Sequence, residues 1–211
     1  MESCSPCASR FSSYMGGGPA ALGMYPYQAG VMWDGQLICG CVILNANSAL
    51  TAAHCMYNNL VQDFYIMAGS QDLSTLERLT PSSITFYTPS SPPLVASPTT
   101  LLFSTLVDPP FVFDGFLQTA PLSVDLQVYS DLECLQTWIF GPAKTNICAG
   151  QPPGEIGAGA CGGDSGSALV INGEVAGISS FEHVPCGTRP QPAVFTQVSL
   201  YIDWITETAG L

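Results

Sequence analysis

Basic residues are nearly absent from this sequence. Arg10, Arg78, Lys144 and Arg189 are the only four in 211 residues, against 16 acids, for a net charge of −12. So few cations exclude a surface that neutralises a run of phosphates, so no nucleic-acid partner is expected. An anionic membrane surface is excluded on the same ground. The expectation is an acidic, self-repelling, soluble monomer with few sites for proteases that cut after Lys or Arg. Long apolar runs are also missing: no stretch of about 18 such residues exists, so no membrane span is read. Histidine occurs twice, as His54 and His183. No pair of CxxC units has zinc spacing, Cys4-Ser5-Pro6-Cys7 standing alone. Neither metal nor cofactor is expected. The start, Met1-Glu2-Ser3-Cys4, has no basic segment leading into an apolar run, so it is not read as a signal peptide.

What remains is rich in apolar and turn-forming residues. Hydrophobic residues make up 47 %, with 21 glycines and 17 prolines. That balance fills a core and suits many short strands joined by turns, an all-β chain. Strands are predicted at Gln28–Met32, Leu37–Leu44 and Phe64–Met67. A half-buried strand is predicted over 122–129, where Leu122, Val124, Leu126 and Val128 alternate with polar residues. Asn172-Gly173, between Ala168–Ile171 and Val175–Ser179, predicts a tight hairpin. Residues 80–110 are dominated by Ser, Thr and Pro and read mostly as loop, with one possible strand at Leu101–Val107. Near the C-terminus the period changes: Val198, Tyr201, Ile202 and Ile205 fall on one helical face. Nine cysteines in such a chain point to disulfides and an extracellular setting.

Two segments carry chemistry. Leu50-Thr51-Ala52-Ala53-His54-Cys55 presents a histidine, and Cys161-Gly162-Gly163-Asp164-Ser165-Gly166-Ser167 presents a serine between glycines. A serine hydroxyl is a poor nucleophile at neutral pH unless a base takes its proton, and imidazole titrates in the useful range. Glycines beside Ser165 let the backbone turn sharply, so neighbouring N–H groups can converge on one oxyanion. The first segment resembles the TAAHC motif, and the second the GDSG motif, of chymotrypsin-like (trypsin-family) serine proteases. The resemblance covers roughly residues 14–85 and 114–208 and is greatest to arthropod secreted members. Tyr25-Pro26-Tyr27-Gln28, Phe195-Thr196-Gln197-Val198 and Trp204-Ile205 are similar to further family stretches.

The resemblance implies a double Greek-key β-barrel of six strands each, the first incomplete, closed by a C-terminal α-helix. Residues 1–13 would be a leader and 14–211 the protease domain, crossing between barrels near 88–118. The chain would be a secreted serine endopeptidase acting on a polypeptide or held by a protease inhibitor. His54 would be the general base, Ser165 the nucleophile, and the amides of Gly163 and Ser165 the oxyanion hole. Asp164 would receive an ammonium on activation. Gly159, Glu182 and Ala193 would line the primary pocket; Gly159 there implies an apolar preference, while Glu182 could attract a basic residue or block the entrance. Implied disulfides are Cys39–Cys55, Cys134–Cys148 and Cys161–Cys186, leaving Cys4, Cys7 and Cys41 over. Two features depart from the family. The place for its third catalytic residue, Ser97–Leu102, holds no acid; Asp108 and Asp114 are the nearest, with Asp108 the candidate. The activation site lacks the basic residue and Ile-Val-Gly-Gly. The alternative is therefore a catalytically impaired homologue that binds or regulates other proteins.

Overall fold

The computed structural model describes residues 17–21, 23–56, 60–69, 77–79, 81–86, 100–105, 122–138, 144–157, 159–187 and 189–211. The proposed leader, Cys4, Cys7, Asp108 and Asp114 lie outside the described residues.

Strands β2 (Gln28–Trp33), β3 (Gln36–Asn45), β4 (Ser48–Ala52) and β5 (Phe64–Ala68) build the first sheet with β6 (Glu77–Leu79), β7 (Pro81–Phe86) and β8 (Thr100–Thr105). Its strand order is β6-β5-β2-β3-β4-β8-β7. In β5 the pattern is strict: Phe64, Ile66 and Ala68 turn inward and Tyr65 and Met67 outward, as a period of two demands. Asp34 and Gly35, both at positive φ, turn β2 into β3. The second sheet has the order β10-β11-β14-β13-β12, from β10 (Gln127–Val128), β11 (Asn146–Gly150), β12 (Ala168–Ile171), β13 (Glu174–Phe181) and β14 (Ala193–Gln197). Asn172 and Gly173 form the β12–β13 turn with φ of 54° and 84°, which is why that dipeptide stands there.

The alternating stretch 122–129 is not one strand. Leu122–Ser123 (β9) pairs with Gly18–Pro19 (β1), whereas Gln127–Val128 pairs with Ala149–Gly150 in the second sheet. A short helix follows, α1 (Asp131–Thr137), fixed by a reciprocal cap: the Ser130 hydroxyl accepts from the Glu133 amide and the Glu133 carboxylate from the Ser130 amide. The C-terminal helix α2 (Ile202–Ala209) is preceded by a 3-10 turn at Val198–Leu200. Its buried face uses Tyr201, Trp204, Ile205 and Ala209, while Ile202 is 49 % exposed. That shifts the apolar stripe by part of a turn, because Val198 lies in the tighter 3-10 segment.

The two sheets meet along a seam. Val42 and Leu50 from the first pack against Ile178 from the second, with Val198 and Ile205 below. Each fully buried aliphatic side chain contributes about 1.5–3 kcal/mol. The seam holds the Ser165 turn, between Cys161 and β12, against β3 and β4.

Candidate active site

His54 sits in a one-turn 3-10 segment, Ala53–Cys55, at the end of β4. Every residue of β4 is buried, so the histidine rises from a rigid support and is itself exposed. The Cys39–Cys55 disulfide ties that turn to β3, closing a 16-residue loop; a link of this length contributes about 3 kcal/mol in the chain-entropy account. An imidazole nitrogen lies within 4.8 Å of both bridged sulfurs. Disulfide sulfurs are not thiolates, so the cluster is no metal site. Neighbouring protein desolvates the imidazole enough to lower its pKa from 6.5. Among the described residues no carboxylate pairs with it.

Ser165 reaches the same place from the other sheet. Its carbonyl accepts from the Gly40 amide of β3 at 2.8 Å and lies 3.8 Å from the Cys55 sulfur, next in sequence to His54. Its hydroxyl points at the Ser180 carbonyl, 3.4 Å away. The turn is held by backbone bonds: Asp164 to Cys161, Gly166 to Ser179 and Ser167 to Asp164. Gly163 and Gly166 have φ of 100° and 88°, and a Cβ on Gly166 would strike the Gly40 carbonyl and the Thr51 hydroxyl. Only glycine permits that approach. Among the described residues, no protein group accepts from the amides of Gly163 or Ser165.

Asp164 accepts from the Cys161 amide at 2.7 Å. Burial, only partly offset by that bond, and the nearby Glu182 push its carboxyl up to about 7. Burial also raises the pKa of Glu182. Gly159, Glu182 and Ala193 come together around one small cavity of about 20 Å³, with His183, Arg189 and Gln191 at its walls. Disulfides Cys161–Cys186 and Cys134–Cys148 brace this region, the first beside Ser165 and the cavity. Cys41 is free and buried under the first sheet.

The strand beside His54 explains the missing acid in part. β8 pairs antiparallel with β4, Thr100 opposite Ala52 and Ser104 opposite Ser48. It therefore leads away from His54, and Thr100–Thr105 contains no acid. The residues that sequence reasoning missed are those that clamp the serine turn, Gln28, Gly40 and Thr51. The contacts that reach the serine turn lie far along the chain, 139 positions between Gln28 and Ser167, so no local signal exists.

The chain is similar to known proteins in sequence and in fold. The family model described as Trypsin matches residues 14–90 and 113–205. Human kallikrein-7 is 30 % identical over 225 residues, covering 91 % of this chain and 85 % of the relative. Snake venom serine protease catroxase-2 of Crotalus atrox is 33 % identical over 147 residues, 69 % of this chain and 54 % of the relative. The solved structure of neuropsin, a serine protease expressed in the limbic system of mouse brain, superposes with a TM-score of 0.76 at 23 % identity, over 92 % of this chain and 99 % of its own. No helix among the described residues is long and apolar enough to cross a membrane. With the family model matched across most of its length, this chain belongs to the trypsin family of serine endopeptidases.

Proposed function

We propose that this endopeptidase cuts polypeptides with Ser165 as nucleophile and His54 as general base, and that it works without a carboxylate on the imidazole. The observation that supports this reading is the clasp between the two loops: the Ser165 carbonyl is held by Gly40 and lies 3.8 Å from the sulfur of Cys55, the residue after His54. Neutral His54 takes the hydroxyl proton as the serine oxygen bonds to the substrate carbonyl carbon. The carbonyl electron pair moves onto its oxygen, where the amides of Gly163 and Ser165 donate to it. Protonated His54 then gives its proton to the departing amine, leaving an acyl-enzyme. Water repeats the sequence and restores Ser165.

Asp108, the candidate for orienting the imidazole, lies outside the described residues. β8, the described strand before it, leads away from His54. Among the described residues, the disulfide-tied turn supports the ring. A serine protease without that acid is slower by about 10⁴, so slow turnover is the expectation of this reading. Asp108→Asn and Asp114→Asn are expected to change that slow rate little; a fall approaching about 10⁴ for either would identify the orienting acid.

The primary pocket is read at Gly159, Glu182 and Ala193. A cavity of about 20 Å³ admits little more than one water-sized group, which favours a small side chain before the cut bond; the apolar preference rests on Gly159 at its base. Asp164 is read as the acceptor of an ammonium that appears on activation, since its enclosed carboxyl has an unmet demand for a cation. Three disulfides and a venom relative support a secreted protein.

The test is hydrolysis of unfolded casein by the purified, refolding-competent chain. Slow turnover that disappears in both Ser165→Ala and His54→Ala is expected. Turnover by folded wild type no greater than by Ser165→Ala would replace the enzyme reading with that of a binding homologue.

A further inference from the structure

The Ser165 turn is gripped from one side by three adjacent strands of the other sheet. From β2, the Gln28 amide nitrogen donates to the Ser167 hydroxyl at 3.0 Å, and its amide oxygen lies 3.5 Å from the Ala168 N–H, at the limit of a hydrogen bond. From β3, the Gly40 N–H donates to the Ser165 carbonyl at 2.8 Å. From β4, the Thr51 hydroxyl donates to the Gly40 carbonyl at 2.6 Å, and Thr51 is 0 % exposed. Gly40 is thus held through its carbonyl by Thr51 and holds Ser165 through its N–H. The fit leaves no room: a Cβ on Gly40 would run into the Ser167 hydroxyl, and one on Gly166 into the Gly40 carbonyl and Thr51. Thr51 is also three residues before His54, on the buried strand that ends at its turn.

These contacts do more than join two sheets. The apolar seam of Val42, Leu50 and Ile178 already does that. They fix where the turn sits relative to β4, and hence where the hydroxyl sits relative to the imidazole. Among the described residues no carboxylate holds His54, so the contacts that seat the Ser165 turn against β4 bear directly on the hydroxyl–imidazole geometry. We propose that Thr51 and Gln28 are positioning residues, which hold Ser165 in register with His54 through Gly40 and Ser167. This rests on the reading of Ser165 as nucleophile. A misplacement of about 1 Å between reacting groups can cost about a hundredfold in rate.

Thr51→Val keeps the shape but leaves the Gly40 carbonyl without its donor; Thr51→Ser restores the hydroxyl. Gln28→Ala removes the clamp at a partly exposed position; Gln28→Glu keeps an acceptor for both the Ser167 hydroxyl and the Ala168 amide. The measurements are kcat and KM on a peptide substrate and the rate of Ser165 phosphonylation by a fluorophosphonate, with folding monitored by near-UV circular dichroism. Thr51→Val and Gln28→Ala are expected to lower kcat and the phosphonylation rate by about tenfold or more with KM little changed, and Thr51→Ser and Gln28→Glu to recover most of the loss. Ser167→Ala added to Gln28→Ala should cost nothing further, because the two groups act as one contact. Folded variants that react at the wild-type rate, or whose loss falls on KM, overturn the positioning role alone. A folded wild type that never reacts overturns the nucleophile reading and this inference with it.

Discussion

Replacing Asp164 by asparagine should stabilise the protein at neutral pH. The carboxyl is enclosed beside the serine turn, where burial and Glu182 raise it from 3.8 to about 7. In the unfolded chain it loses its proton near 3.8; in the folded chain it keeps it to about 7. Below pH 3.8 both states are protonated and there is no cost. Between about 4 and 7 the folded state binds more protons than the unfolded one, so stability falls as pH rises. Above 7 the cost is complete. A displacement of about three pH units is worth about 4 kcal/mol, and because Asp164 is partly open to solvent about 2–4 kcal/mol is the expected size. Asparagine cannot ionise and still offers an oxygen to the Cys161 amide, so that bond survives. Urea unfolding of wild type and Asp164→Asn at intervals from pH 4 to 8 measures the difference. It should be small at pH 4, widen to about 2–4 kcal/mol by pH 7 and stay there. At about 2–4 °C per kcal/mol for a domain of this size, the shift in Tm at pH 8 is about 4–16 °C. A difference that is constant across the range, or that favours wild type at pH 8, would refute the argument. An ammonium delivered to the site on activation should erase the difference.

The pH profile of kcat/KM gives a second check. Desolvation lowers the His54 pKa, and only the neutral ring is a base, so activity should rise with pH through a midpoint below 6.5; a midpoint above 7 would reveal a carboxylate beside it. Glu182→Ala should widen the small cavity and raise kcat/KM for substrates with a larger apolar side chain before the cut bond by about tenfold or more, which a panel of peptide substrates would show. Ser130→Ala removes the cap of α1 and should cost about 1 kcal/mol in urea unfolding, with hydrolysis unchanged.

The parts legible in the sequence are those whose cause is local. Asn172-Gly173 predicts its hairpin because both residues must take positive φ, and both do. The β2, β3 and β5 strands follow from apolar runs cut by turn residues. The segment 122–129 shows the limit of such signals: alternation says that one face is buried, yet β9 and β10 pair with different partners, and only tertiary contacts decide that. Helix α1 is too short to show a period; its one signal was Ser130 with Glu133 three residues on. At the site, His54 and Ser165 stand out through their neighbours. The cavity around Gly159, Glu182 and Ala193 could be inferred only through family resemblance. The Gln28–Ser167 and Gly40–Ser165 contacts were invisible, since they join residues more than a hundred positions apart, the first by a side-chain bond many polar residues could make and the second through the backbone.

The most direct measurement is covalent. Folded protein is treated with a fluorophosphonate and digested, and the modified residue is located by mass spectrometry. This account predicts slow, stoichiometric modification of Ser165 that vanishes in His54→Ala. Modification of another serine, or of Ser165 at the same rate without His54, would contradict the claim that this hydroxyl and this imidazole act together.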